Sequence, residues 1–469
     1  MQEPRQGKLI RSLGLFSVFV LVVSSVIGSG IYKKVAPMSA ELQSPMWVLV
    51  CWALAGVITL CGALSNAEVA GLLAESGGEY VYYQRIYNKF FAFLFGWSSF
   101  TAIRSAAAAS IAYVFAQSFN SLIPLPILPH EWATFSLFGV FTPFDNFGVK
   151  AVAIFLILIL SYVNYRGLKL GEGLSRIVLL MVVASIVLII GLGLTIGGGS
   201  LANFQTSATG YVSTSWVDTG FLGHIFAALL AAFWAYEGWS PIGYLGGEIK
   251  NANRNLPLAL IFGVLFVMLV YVSINFTYLF VLPIDQLIQV HQYQNTIAAV
   301  EVIKHFLGNG GVLFISLVIL LTTFGATNTT LLTPPRLYYA MAKDGVFFKD
   351  AAFIHPQYNT PSRAIVMQAI WASALVLSGS FDQLTDMLVF ASFIFYGATA
   401  VGVFVLRVKM PEAHRPYKAW GYPIVPALFI IFCVVLVVVT SMARPREALL
   451  GLSLMATGVP FYWYWSRAK

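Results

Sequence analysis

Charge is what this sequence has least of. Asp, Glu, Lys and Arg make up 10% of the 469 residues, and 59% are hydrophobic. A soluble domain carries about 25% charged residues, so an ordinary water-facing surface is excluded. Cysteine is scarce too. Cys51, Cys61 and Cys433 each lie in an apolar run, with neither metal-ligand spacing nor a disulfide framework. The six histidines are scattered, and no HExxH, GxSxG or Walker-type loop occurs. These absences remove the usual zinc and serine hydrolases and an ATP-driven pump, and the chain is read as a non-enzyme. The net charge of +8 is read as basic loops beside a membrane, and no nucleic-acid partner is expected. Runs such as AVAIFLILILSYV do not alternate polar with apolar, so a membrane β-barrel is excluded as well.

Long apolar runs are present from end to end. About 20 residues at roughly 1.5 Å each span the hydrocarbon core, and lipid leaves the backbone no partner outside a helix. Twelve transmembrane helices are expected over about 12–36, 45–72, 88–120, 149–166, 174–196, 220–247, 256–282, 310–342, 361–379, 384–406, 420–442 and 447–465. The chain then divides into a cytoplasmic N-terminal segment 1–11, two five-helix sets at 12–196 and 197–406, and a last pair with the cytoplasmic C-terminus at 407–469. The first run, from about Leu13, is too long for a cleaved signal peptide. In a cell membrane with both termini cytoplasmic, about 20 of the 27 basic residues face the cytoplasm, among them Lys8, Arg11, Arg85, Lys250, Arg254, Arg407 and Lys469. Lys33, Lys34, Arg444 and Arg446 run against that pattern. The stretch 284–308 mixes apolar and polar residues at helical spacing and reads either as an amphipathic cap or as a surface hairpin.

Two runs carry chemistry. Ser24, Ser25, Gly28, Ser29 and Gly30 crowd together near the middle of helix 1. Such residues serve close helix packing, or they break the helix and free amides for an anion and carbonyls for a cation. In helix 6, Ala235-Tyr236-Glu237-Gly238-Trp239-Ser240-Pro241 places an acid, a glycine and a proline in one apolar span. Each is costly there unless it serves a site. These are the first helices of the two five-helix sets, and interrupted helices in corresponding places mark a transporter site.

With these runs on the page, the chain resembles the amino acid–polyamine–organocation superfamily, and within it the L-type amino acid transporters and their bacterial relatives. The resemblance rests on IGSGIY, FWAYEGWSPIGYLGGEIKNANRNLP, TTFGATNTTLLTPPRLYYAMAKDG, SNAEVAGLLAESGGEY, GWSSFTAIRSAAAASIA and RVKMPEAHRPYKAWGYPIVP. It implies an all-α integral membrane protein of the LeuT-type 5+5 inverted-repeat fold, with helices 1 and 6 broken. It also implies a small amino acid as the substrate partner, moved by alternating access within the lipid bilayer. The substrate carboxylate would lie on the amides of Ser29 and Gly30, beside Gly28. The amino group would meet carbonyls around Ile27, Trp234 and Ala235, next to Gly238, with Trp234 as an aromatic cover.

Departures from the family pattern sharpen the reading. Val182 stands where relatives carry a lysine that occupies a sodium position. Ser24, Ile27, Ile319, Thr322 and Thr323 instead offer oxygens for sodium, or the threonines merely bond back to their own helix. No cofactor is expected beyond sodium or proton coupling. No cysteine lies between residues 121 and 148, where the heavy chain of animal relatives attaches, so no disulfide-linked heavy chain is expected. Arg104 in apolar helix 3, and Glu68 and Glu248 near helix ends, are assigned gating or structural roles. Glu237 has three readings: partner of a substrate ammonium, proton carrier, or acceptor for freed backbone amides. The expected function is secondary transport of small neutral amino acids by exchange or ion-coupled symport. Cationic amino acid or polyamine transport, and an amino acid sensor that does not transport, are the alternatives.

Overall fold

The structure is a computed structural model, and it describes residues 9–136, 143–209, 219–292, 297–378, 381–443 and 445–467. Residues 1–8 with Lys8, and also Arg444 and Lys469, which enter the charge reading, lie outside the described residues, as do parts of the loops at 121–148 and 197–219. The described residues form helices joined by short connections, with isolated backbone bridges at Leu13–Ile249 and Ser76–Leu245 as their only extended pairing.

Burial runs opposite to that of a water-soluble bundle. The strongly apolar helices Leu168–Thr195 and Ile424–Met442 have only 33% and 28% of their apolar windows buried in protein, whereas the less apolar span Lys89–Leu122 is 83% buried. Large side chains such as Phe155, Ile177, Val187, Phe262, Ile431 and Val434 point outward. An apolar rim around a more polar centre is stable only when the surrounding solvent is lipid. Nine helices among the described residues are long and apolar enough to cross a membrane. The chain is a multi-pass membrane protein.

Both expected interruptions are present. Helix 1 runs from Leu15 to Val26, turns extended at Ile27 (φ −70°, ψ 95°), and resumes as Gly30–Lys33 and Val35–Leu42. Helix 6 runs over Thr219–Tyr236, breaks at Glu237–Trp239, and continues as tight single turns at Ser240–Tyr244 and Gly246–Glu248. Gly238 adopts φ +112°, which side-chain-bearing residues rarely reach, and an added Cβ would lie 2.5 Å from the Ser25 carbonyl oxygen. Gly30 is closed in equally tightly, because its Cβ would come within 2.5 Å of the Ala235 Cβ. The two breaks are therefore packed backbone to backbone.

Other boundaries differ for identifiable reasons. Helix 5 begins at Leu168 rather than near 174, because Gly167 (φ +150°) turns the chain straight out of Phe147–Arg166. Helix 3 contains a π-helical turn, Ser99–Ile103, just before Arg104. Such a turn inserts a residue and re-aims the side chains that follow. The last segment divides into Pro445–Ala456 and Gly458–Arg467 around Thr457, whose hydroxyl accepts from the Trp97 indole at 3.0 Å. Within 284–308 the structure is helical on both sides of 293–296. Ile284–Gln292 buries Ile284, Leu287 and Val290 on one face, as an amphipathic cap requires, and Gly308 (φ +58°) marks the bend into helix 8.

Candidate functional site: a cavity between two broken helices

A cavity opens where the breaks meet. Gly28, Ser29 and Gly30 line one side, with Trp234, Ala235, Glu237 and Gly238 opposite. Seven of the eight substrate-site residues expected from sequence thus share one cavity, and Ile27, buried beside them, does not reach its wall. Among the described residues, no backbone carbonyl accepts from the amides of Ser29 or Gly30. Unpaired amides at the start of a helical turn favour a negatively charged group. The Trp234 carbonyl accepts from the Glu237 amide at 3.3 Å.

Sequence reasoning missed several walls. Ala107, Ile111, Thr330, Thr333 and Pro334 also face the cavity, beside Ser25 of the small-residue run. These five come from helices 3 and 8, and nothing in their local pattern distinguishes them from packing residues. Tyr271 was missed as well. Its buried hydroxyl lies 2.9 Å from the Val26 carbonyl and 3.0 Å from that of Ala235. One hydroxyl has one proton to donate, so the two breaks share a single donor in Tyr271.

The charged centre is an ion pair. Arg104, 3% exposed, donates from Nη1 to Glu237 Oε1 at 2.9 Å, from Nη2 to Ser240 Oγ at 3.2 Å and from Nε to the Tyr244 hydroxyl at 3.3 Å. Tyr396 donates to the same Glu237 oxygen at 2.6 Å. Glu237 is thus held by side chains from helices 3 and 10, not by the freed backbone amides that its structural reading supposed. A buried guanidinium is tolerable only when paired and bonded in this way.

The two other acids expected to gate or fix the structure hold loops. Glu68 takes a two-pronged contact from Arg407 (2.9 and 2.7 Å), lies 3.3 Å from Arg415 and accepts from the Ala419 amide at 2.6 Å. It anchors the segment between helices 10 and 11 to helix 2. Glu248 pairs with fully buried Arg336 at 2.8 and 3.1 Å, and its carbonyl accepts from the Ser12 and Leu13 amides. The segment before helix 1 is thereby latched to helix 6 and to the end of helix 8.

Around the residues considered for sodium, Thr322 donates to the Val318 carbonyl and Thr323 to that of Ile319, both at 2.7 Å. The Tyr32 hydroxyl lies 2.9 Å from Thr322 Oγ1, and Thr329 donates to Ser24 Oγ at 3.3 Å. The threonine protons are spent within helix 8, and the Ile319 carbonyl is already engaged. Val182 is buried. Among the described residues no cluster of His, Cys, Asp or Glu is arranged to hold a metal.

A bundle with a lipid-facing rim, whose two interrupted helices meet at a central cavity with an ion pair in its wall, has the architecture of a membrane carrier. The chain belongs to the amino acid permease family, whose model matches residues 13–463. It is 30% identical to the b(0,+)-type amino acid transporter 1 of Homo sapiens, over all of this chain and 90% of that protein. It is 28% identical to the serine/threonine exchanger SteT of Bacillus subtilis (strain 168), over 98% of each chain. It is likewise 28% identical to the large neutral amino acids transporter small subunit 2 of Homo sapiens, over 98% of this chain and 82% of that one. The chain is an amino acid transporter and not an enzyme.

Proposed function

We propose that this protein moves small neutral amino acids across a cell membrane by alternating access, by exchange or ion-coupled symport. In this reading it has twelve spans with both termini cytoplasmic, and the two five-helix sets form a LeuT-type inverted repeat. The observation that carries the neutral substrate class is the Arg104–Glu237 ion pair at the cavity wall. Glu237 already has its cation, so a substrate side chain of either charge would meet a compensated wall. The amides of Ser29 and Gly30 remain for the carboxylate every amino acid carries, with Trp234 and Ile111 among the apolar walls. Relatives named for serine and threonine exchange and for large neutral amino acids bracket the same class.

In this reading the protein works without a disulfide-linked heavy chain, since the sequence has no cysteine between residues 121 and 148. Sodium coordinated by Ser24, Ile27, Ile319, Thr322 and Thr323 is the rival to proton coupling or pure exchange.

The test is uptake into proteoliposomes of labelled serine, threonine, alanine, leucine, arginine and putrescine, with and without unlabelled counter-substrate inside. Neutral amino acids should enter, and faster with counter-substrate. Exclusive uptake of arginine or putrescine would establish the cationic class instead. Binding without flux would make the protein a sensor.

A further inference from the structure

The Arg104–Glu237 pair has a third member that the transport cavity does not use. Glu79 opens the short helix Glu79–Ile86, which lies between the spans ending at Leu72 and beginning at Lys89. It is 1% exposed, and neither of its carboxylate oxygens makes a hydrogen bond of ordinary geometry, although the Ser240 and Tyr244 hydroxyls are turned toward it. Its position is rigidly set. Gly77 (φ +107°) and Gly78 (φ +51°) turn the chain into it, and a Cβ on Gly78 would lie 2.7–2.8 Å from Tyr244 and Gly243. The glycines thus press the start of this helix onto the single turn that follows the helix 6 break. The sequence SGGEY carried family resemblance only, and nothing in its composition marked the acid as buried.

The groups facing Glu79 come from every element packed on it. Helix 3 supplies Arg104, and helix 6 supplies Ser240, Tyr244 and Glu237. Helix 10 supplies Tyr396, and Glu79's own helix supplies Tyr82 and Tyr83. Asp344, at the end of the helix Pro335–Lys343, is turned to Tyr80 and Gln84 instead. The cluster therefore holds two carboxyl groups and one guanidinium, and the guanidinium is bonded to Glu237. Two ionised acids sharing one cation in a dry site would leave an uncompensated charge, which several kcal/mol of desolvation opposes. Burial pushes the Glu79 carboxyl above its ordinary value, against the opposing pull of Arg104.

We propose that Glu79 is a proton-binding site linked to the helix 6 break through Arg104, which Glu79 and Glu237 share. With Arg104 on Glu237, Glu79 holds the proton on one carboxylate oxygen. When the break shifts and Arg104 turns to Glu79, the Glu79 O–H bond breaks, its carboxylate takes the guanidinium, and the proton passes to Glu237, which has just lost its cation, so that one ionised acid remains per guanidinium. The exit runs along hydroxyls already in line. Ser240 lies 3.4 Å from Tyr396, and Tyr396 lies 2.6 Å from Glu237 at the cavity wall. The linkage to transport rests on the function proposed above, whereas the proton site does not.

Two measurements on the purified full-length protein separate these. Infrared spectroscopy at neutral pH without substrate should show the carbonyl band of a protonated carboxyl group, lost in Glu79→Gln and shifted in Glu79→Asp. In proteoliposomes, labelled serine uptake by the wild type should fall as pH rises. Glu79→Gln should exchange serine with a flat pH profile, and Glu79→Asp should restore the slope. A band that persists unchanged in a folded Glu79→Gln protein, or an unaltered pH profile in that variant, overturns the proposal. If the wild type moves no serine, the transport reading fails for this probe, and the infrared band alone decides the proton site.

Discussion

At the scale of single residues, two positions carry most of the site's logic. Gly30 is glycine because Ala235 occupies the space a side chain would need. Gly30→Ala should cost about 1–3 kcal/mol, as overpacking does, and should abolish stabilisation by added serine in thermal unfolding. Ala235→Gly in the same chain should recover part of that loss, since the clash is between these two residues. Recovery absent from the double mutant would show that the glycine serves the ligand rather than the packing. Glu237 is the second position. Glu237→Gln keeps an acceptor for Arg104 and Tyr396 but removes the charge, so serine affinity should fall while folding survives. Glu237→Ala leaves a buried guanidinium without its counter-ion and should destabilise by about 3–5 kcal/mol. Equal stability of Ala and Gln variants in denaturation would show that the pair is not structurally coupled.

At the scale of elements, the broken helices act together because Tyr271 reaches both. Its ring is packed edge-on against Trp52 and tilted against Tyr236, which fixes where the hydroxyl points. Tyr271→Phe should cost only about 1 kcal/mol of stability, the worth of one hydrogen bond. Its effect on turnover should be larger, because the carbonyls at the two breaks lose the donor they share. A variant with lowered serine kcat and near-normal melting would bear this out, and unchanged kcat would reduce Tyr271 to packing. Both breaks were legible in the sequence, because glycine, serine, glutamate and proline are conspicuous in apolar runs. Tyr271 and Glu79 were not, because a tyrosine in an apolar helix and an acid near a helix start are ordinary in sequence. Only burial and contact distinguish them.

At the scale of the whole molecule, coupling is the open property with a direct assay. The helix 8 threonines donate their protons to their own backbone, the arrangement expected of hydroxyls that serve only their helix. Serine uptake should be equal in sodium and choline media. Strong sodium dependence, removed by changing Thr322 and Thr323 together to Val, would establish the sodium site instead. The ion pairs Glu68–Arg407 and Glu248–Arg336 fasten chain-distant segments to one another.

By itself the sequence determined the solvent, the helical class and the two places where helices break. Apolar run length answers to bilayer thickness, and breaks in lipid are too costly to occur without polar or glycine residues that show themselves. Tertiary structure alone decided which side chains share the centre. Arg104, Glu237, Tyr396 and Glu79 come from four separate segments, and their pairing depends on a π turn in helix 3 and a double-glycine turn before Glu79. Neither device changes the hydropathy of the chain. Which carboxyl group takes the Arg104 guanidinium follows from those backbone turns.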